Sequence, residues 1–292
     1  MAATKLEMPA KPVTKARAKL PPGWKLFRQA LQLLWRHRKL FLGITGIYAV
    51  LSVLLVQNLD SSLSVSSLQS VIGGSADRLS KGVVTVQWLA SGSGSTTSQT
   101  SNVFQGILFI SVSLAIIWAL RQVMTGHHVR IRDAFYRGMY PVVPVLLVAV
   151  VFILQLLPAS VGLGIYNVVL MYSFAAQSIE KILWAIPVIS LVLLSLYVMT
   201  SSTIALYIAT LPDITPIAAL KSARGLVHHR RWAVLRKLLF LSITLAVIWG
   251  VLAIPVLLLA PLLAPWLVFV LGVLTVPVVH AYIYLLYREL LV

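Results

Sequence analysis

Two adjacent histidine pairs, His127-His128 and His228-His229, are the first residues in this 292-residue sequence to suggest metal chemistry. Neighbours on a helix point about 100° apart, unlike the same-face spacing of an H-E-x-x-H zinc motif, so neither pair chelates alone. Asp133 is the one nearby carboxylate that could complete a site shared by both pairs. No metal or cofactor is therefore expected. Acid–base catalysis has little more to work with, because the acidic residues are scattered as Glu7, Asp60, Asp77, Asp133, Glu180, Asp213 and Glu289. None lies in the middle of an apolar stretch. The absence of cysteine excludes disulfides, thiolate metal sites and cysteine nucleophiles. No phosphate-binding glycine loop, dinucleotide fingerprint, nucleophile elbow or DNA-binding signature occurs, so no catalytic residue is assigned.

Polar chemistry inside apolar sequence is confined to two places. Thr200-Ser201-Ser202-Thr203 can either let helices approach while its hydroxyls bond to their own backbone, or line a substrate path. His280 is the single ionisable group deep in an apolar run, and Tyr282 and Tyr284 beside it suggest an interhelical hydrogen bond near the inner interface.

Cations are the commonest reactive groups, and one basic segment, Lys221, Arg224, His228, Arg230 and Arg231, is set between two long apolar stretches. Thr215 can cap a helix there, and Pro216 suits its first position because the missing N–H would have been an unpaired donor anyway. At about 100° per residue, Ala219, Leu220, Ala223 and Val227 share one arc, while Lys221, Arg224, His228 and Arg231 form an adjacent stripe. Such a helix can lie on a bilayer with its apolar arc among acyl chains and its cations on anionic headgroups. The alternative is a loop that only sets topology.

The elements that position these groups follow from composition. With 59% hydrophobic and 11% charged residues, the chain reads as an all-α, polytopic integral membrane protein. Its formal charge of +17 raises the question of nucleic acid, but the cations flank apolar stretches, as expected for contact with a membrane surface. Residues 1 to 21 predict a disordered basic cytoplasmic tail, and residues 22 to 292 a six-span domain. A first interfacial helix runs from Trp24 to Lys39, its apolar residues being Leu26 or Phe27, Leu31, Leu34 and Trp35. The spans are expected at about 40–56, 103–120, 142–157, 182–211, 238–259 and 266–286. The fourth exceeds the roughly 20 residues a bilayer needs, which implies tilt, an interfacial first turn or a kink at Pro187. Residues 57 to 101 form an extracytoplasmic loop rich in Ser and Gly, and an uncharged turn containing Tyr166 and Tyr172 joins spans three and four.

Counting Lys and Arg by side places twenty-one of twenty-four at the amino-terminal region, the loops after spans two and four, and the carboxyl end. Only Arg78, Lys81 and Lys181 fall opposite, so both termini are expected in the cytoplasm and the protein in the cytoplasmic membrane. Each basic segment also carries a loose repeat: Phe27-Arg28-Gln29-Ala30-Leu31, Ile131-Arg132-Asp133-Ala134-Phe135 and Pro216-Ile217-Ala218-Ala219-Leu220. A hairpin of two spans follows each one, which reads as a threefold helix-plus-hairpin repeat.

The third copy, from Leu211-Pro212 through Pro216-Ile217-Ala218-Ala219-Leu220-Lys221-Ser222-Ala223 to Arg231-Trp232, resembles the integral-membrane domain fused to some bacterial glycerophosphodiester phosphodiesterases. Stand-alone relatives of that domain also occur. The likeness is strongest over about residues 200 to 245 and implies a fold rather than an activity. Catalysis in that family belongs to a separate soluble barrel with acidic metal ligands, which these residues do not include.

The sequence thus points to a non-enzymatic, lipid-associated membrane protein that organises other membrane components, with phospholipid headgroups as its partners. The alternative is a transporter or channel for a small or lipidic substrate, served by Thr200 to Thr203. The charge count makes the orientation testable with single cysteines at Ser95, Arg132, Arg224 and Leu291 and an impermeant thiol reagent on intact cells. Only the cysteine at position 95 should label; labelling at 132 or 224 would reverse the topology.

Overall fold

A computed structural model describes residues 21–54, 99–127, 129–171, 178–211, 214–228, 230–259 and 263–291. Within them the chain forms α1 (Gly23–Arg36), α2 (Arg38–Ser52), α3 (Gln99–Met124), α4 (Ile131–Gly138), α5 (Val142–Met171), α6 (Ser178–Ile208), α7 (Pro216–Val227), α8 (Arg231–Leu259) and α9 (Ala264–Leu291), with no strand. Five helices, α3, α5, α6, α8 and α9, are long and apolar enough to cross a bilayer. The molecule is an all-helical integral membrane protein. The amino-terminal tail and most of the long loop, including Ser95, lie outside the described residues, as do His128, Tyr172, Asp213 and His229.

Several boundaries differ from expectation. The third span continues through Pro158 to Met171, so Tyr166 sits inside a helix rather than in a turn. Likewise α6 starts at Ser178, includes Glu180 and Lys181, and runs on through Pro187, while Pro255 and Pro277 lie inside α8 and α9. A proline removes one backbone donor, yet in an apolar medium an unwound segment would leave many more polar groups unpaired, so the helix persists.

The hairpins are antiparallel and tied by side chains. Ser195 of α6 donates to the Gln155 carbonyl of α5. The Trp249 indole of α8 donates to Thr275 Oγ1 of α9 at 3.0 Å. Most of the packed core gathers at one end, where α3, α6 and α9 finish and the short helices α1, α4 and α7 lie. There α4 packs on α3, α7 on α6, and α1 on α9. Gly138 brings α4 so near α3 that a Cβ on it would stand 3.0 Å from the Ala115 Cα.

Small residues make these contacts. Ala30, Ala134 and Ala219, one from each short helix, are all fully buried, as are Ala223 and Val227. This corrects the expected seat of the α7 arc: it packs on protein, mainly α6, and not among acyl chains. An alanine stripe admits a neighbouring helix closely and so gains dispersion contacts that lipid would supply less well. The first short helix is corrected too. It breaks at His37, and its seated side is Leu26, Phe27 and Ala30, leaving Leu31 and Trp35 exposed.

The receiving spans share one pattern of burial. Leu114 to Ile117, Ser202 to Ala205 and Ala281 to Tyr284 are buried. Half-buried Trp118, Leu206 and Leu285 follow, then buried Ala119-Leu120, Tyr207-Ile208 and Leu286-Tyr287. Replacing Ala30, Ala134 or Ala219 by Leu should therefore overpack its seat and cost about 1–3 kcal/mol. Thermal denaturation in detergent would read this as a lowered midpoint for each variant, with Ala218→Leu, on the exposed side of α7, as the unaffected control.

Candidate functional site

Three long helices, α3, α6 and α9, are joined near their packed ends by a thread of polar contacts. Arg121, in the last turn of α3, donates through Nη1 to the Thr210 carbonyl at 3.0 Å and through Nη2 to Thr210 Oγ1 at 2.6 Å. Thr210 follows the end of α6, and its hydroxyl donates to the Tyr207 carbonyl at 2.7 Å. The Tyr207 hydroxyl and His280 Nδ1 of α9 share a hydrogen bond of 2.8 Å. Rings surround this contact: Phe109 of α3 lies 6.5 Å from the His280 ring, and Tyr284 lies 6.5 Å from Tyr207. One step away, the Tyr282 hydroxyl donates to the Lys237 carbonyl of α8 at 3.1 Å, while the Lys237 ammonium donates to the carbonyl of Pro21 ahead of α1.

The expected interhelical bond at His280 is present, with Tyr207 as its partner. Arg121 and Lys237 are the members that sequence reading left among the topology-setting cations. The available signal was position: both sit within the apolar ends of spans rather than in the loops between them.

The hydroxyl cluster divides. Thr200, Ser201 and Thr203 donate to the carbonyls of Tyr197, Val198 and Met199, at 2.7, 3.0 and 3.0 Å. The fully buried Ser202 hydroxyl has no hydrogen-bond partner. Three of the four hydroxyls thus pair with their own helix, the arrangement suited to packing.

Around the packed end the surface is basic and aromatic. Thr215 caps α7 by accepting from the Ala218 N–H at 3.3 Å, and Lys221, Arg224 and His228 then project on its exposed side. Arg230 is half-buried. Arg231 turns inward instead, its guanidinium lying 5.2 Å from the Tyr197 ring centre, so the structure does not group it with the outward cations. The other short helices add exposed Arg28, Arg132 and Arg137. Trp24, Trp35, Tyr136, Tyr140 and Trp232 stand beside them, each between 62% and 84% exposed. No group of three or more His, Asp or Glu residues is placed to hold a metal among the described residues.

The arrangement can present cations and aromatic rings to a polar–apolar boundary while locking three spans behind it. The lock gives a prediction: Arg121→Gln should destabilise the fold by about 1.5–3 kcal/mol, the range for a charge-assisted hydrogen bond. Arg121→Lys should recover little, since an ammonium cannot span both Thr210 oxygens as the planar guanidinium does. Denaturation midpoints for both variants and for Thr210→Val would check it, with non-additivity in the double mutant expected for a direct contact.

No family model matches the chain, and no curated protein or solved structure matches it either.

Proposed function

We propose that this protein is a non-enzymatic component of the cytoplasmic membrane, with both termini inside, that gathers anionic phospholipid at its inner face and organises other membrane components there. The observation that carries the reading is the basic, aromatic rim of the packed end. Tryptophan and tyrosine favour the depth where one side of a ring is apolar and the other wet, and arginine and lysine beside them reach headgroup phosphates. Exposed rings stand on α1, on and just after α4, and in the first turn of α8, and exposed cations on α1, α4 and α7.

In this reading α2 is the sixth span. Its helical turns run from Arg38 through Leu54, roughly 25 Å at 1.5 Å per residue, close to the thickness of a hydrocarbon core. The chain is then three units, each a short helix followed by a hairpin: α1 with α2 and α3, α4 with α5 and α6, α7 with α8 and α9. Support comes from the three fully buried alanines at matching places in the repeat, and from the shared burial pattern of the three receiving spans. The likeness of residues 200 to 245 to the membrane domain of glycerophosphodiester phosphodiesterases fits the same reading. A transporter would turn the Thr200 to Thr203 hydroxyls toward a path, whereas three of them are spent on their own backbone.

The test replaces the outward cations Arg28, Arg132, Arg137, Lys221 and Arg224 together by Gln, and leaves Arg231 in place. Each charge near an anionic surface is worth at most about 1 kcal/mol, less with salt screening. Lipid competition in nanodiscs of anionic and zwitterionic composition should show a weakened anionic preference in the variant, and a smaller difference from wild type at high salt. An unchanged preference in a correctly inserted variant would return these residues to topology signals.

A further inference from the structure

We infer that α1 is a hinged strap that closes a ring of three units, occupying on α9 the seat that α4 occupies on α3 and α7 on α6. The inference rests on the threefold reading above and adds to it a moving part.

Two of the three short helices are joined directly to the span they cover. The chain passes from α3 into α4, and from α6 into α7, within a few residues. Each is also followed at once by the next long helix, so lifting α4 or α7 would drag a span at either end. The third seat is filled differently. Here α1 docks on α9, with its first turn against α8, yet it stands at the opposite end of the sequence from both. Only α2 follows it directly, across a break at His37 whose backbone leaves the helical region (φ −112°, ψ 32°). Among the described residues, undocking α1 therefore needs a change at one hinge and moves no other helix.

The docked position is built as a specific seat. Leu26 and Ala30 are fully buried and Phe27 nearly so. Gly23 lies flat on Phe240 of α8, where a Cβ would stand 2.7 Å from the ring Cδ1. Just ahead of it the Lys237 ammonium holds the Pro21 carbonyl, and the Lys237 side chain is only 7% exposed. In an apolar setting that ammonium loses its acceptor when α1 leaves, which favours the closed state and gives the strap a latch. The outward side of α1 carries Lys25 and Arg28 beside Trp24, so the same helix that closes the ring also faces the headgroup boundary.

Hydrogen exchange read by mass spectrometry on the full chain in nanodiscs tests this without any mutation. Amides of Gly23–Arg36 should exchange at least about tenfold faster than those of Ile131–Gly138 and Pro216–Val227, because opening at one hinge is a smaller local unfolding event. Equal protection of the three helices would overturn the strap. A second measurement uses the absence of native cysteine. The pair Gly23→Cys and Phe240→Cys should oxidise to a disulfide within one chain and bring α1 exchange down to the level of α4 and α7. A disulfide between two chains, or none, would overturn the intramolecular seat. The threefold reading fails separately, by unequal effects of the Ala134 and Ala219 replacements, whose seats on α3 and α6 do not depend on whether α1 opens.

Discussion

Close seating of short alanine-bearing helices on the buried ends of three spans is the contact on which the rest of this molecule depends. Lipid tails are as apolar as leucine, so burying leucine gives a membrane helix no reason to prefer protein over lipid. What distinguishes the two is how near the backbones come and how completely the contact surface is filled. Ala30, Ala134 and Ala219 supply the nearness, and the leucine, isoleucine and tyrosine of the receiving spans supply the fill. Away from that end the long helices expose most of their apolar surface, consistent with a solvent of acyl chains. Exposed Ile153, Leu154, Val161 and Ile165 along α5, and Ile182, Leu183, Ile186 and Ile189 along α6, are examples.

The same contact sorts the polar groups. Lys221, Arg224, Arg28, Arg132 and Arg137 lie on the exposed sides of the short helices, and among the described residues the acidic side chains are Asp133, Glu180 and Glu289 alone. Cations near the seats are used inside instead. Arg121 holds both oxygens of Thr210, and Lys237 holds a backbone carbonyl. An arginine at the end of a span is costly to bury, and the bidentate pairing with the last turn of α6 offsets that cost by satisfying carbonyl and hydroxyl together.

The molecule packs closely at one end and exposes most of its apolar side chains along the long helices away from it. The Ser195 hydroxyl near the middle of α6 and the Gln155 backbone carbonyl near the middle of α5 bridge the two helices within a single hairpin. They tie the hairpin together.

Class and the places of most helices were legible from the sequence because both follow from local quantities. Apolar runs of about 20 residues force helix formation where no water is present to satisfy the backbone, and Thr215-Pro216 marks a helix start by the chemistry of its own first turn. The helix end near Pro158 was misjudged, since the preference of proline for helix termini in water yields to the need to keep every other backbone group paired. The seat of the α7 arc and the inward turn of Arg231 were decided only in three dimensions. A stripe of small residues beside a stripe of cations has the same spacing whether its partner is lipid or another helix, and the choice depends on which surface the fold brings near. The pairing of α1 with α9, Arg121 with Thr210 and Tyr207 with His280 joins residues far apart in the chain. No local pattern encodes such a distance, because the packing of the whole bundle sets it.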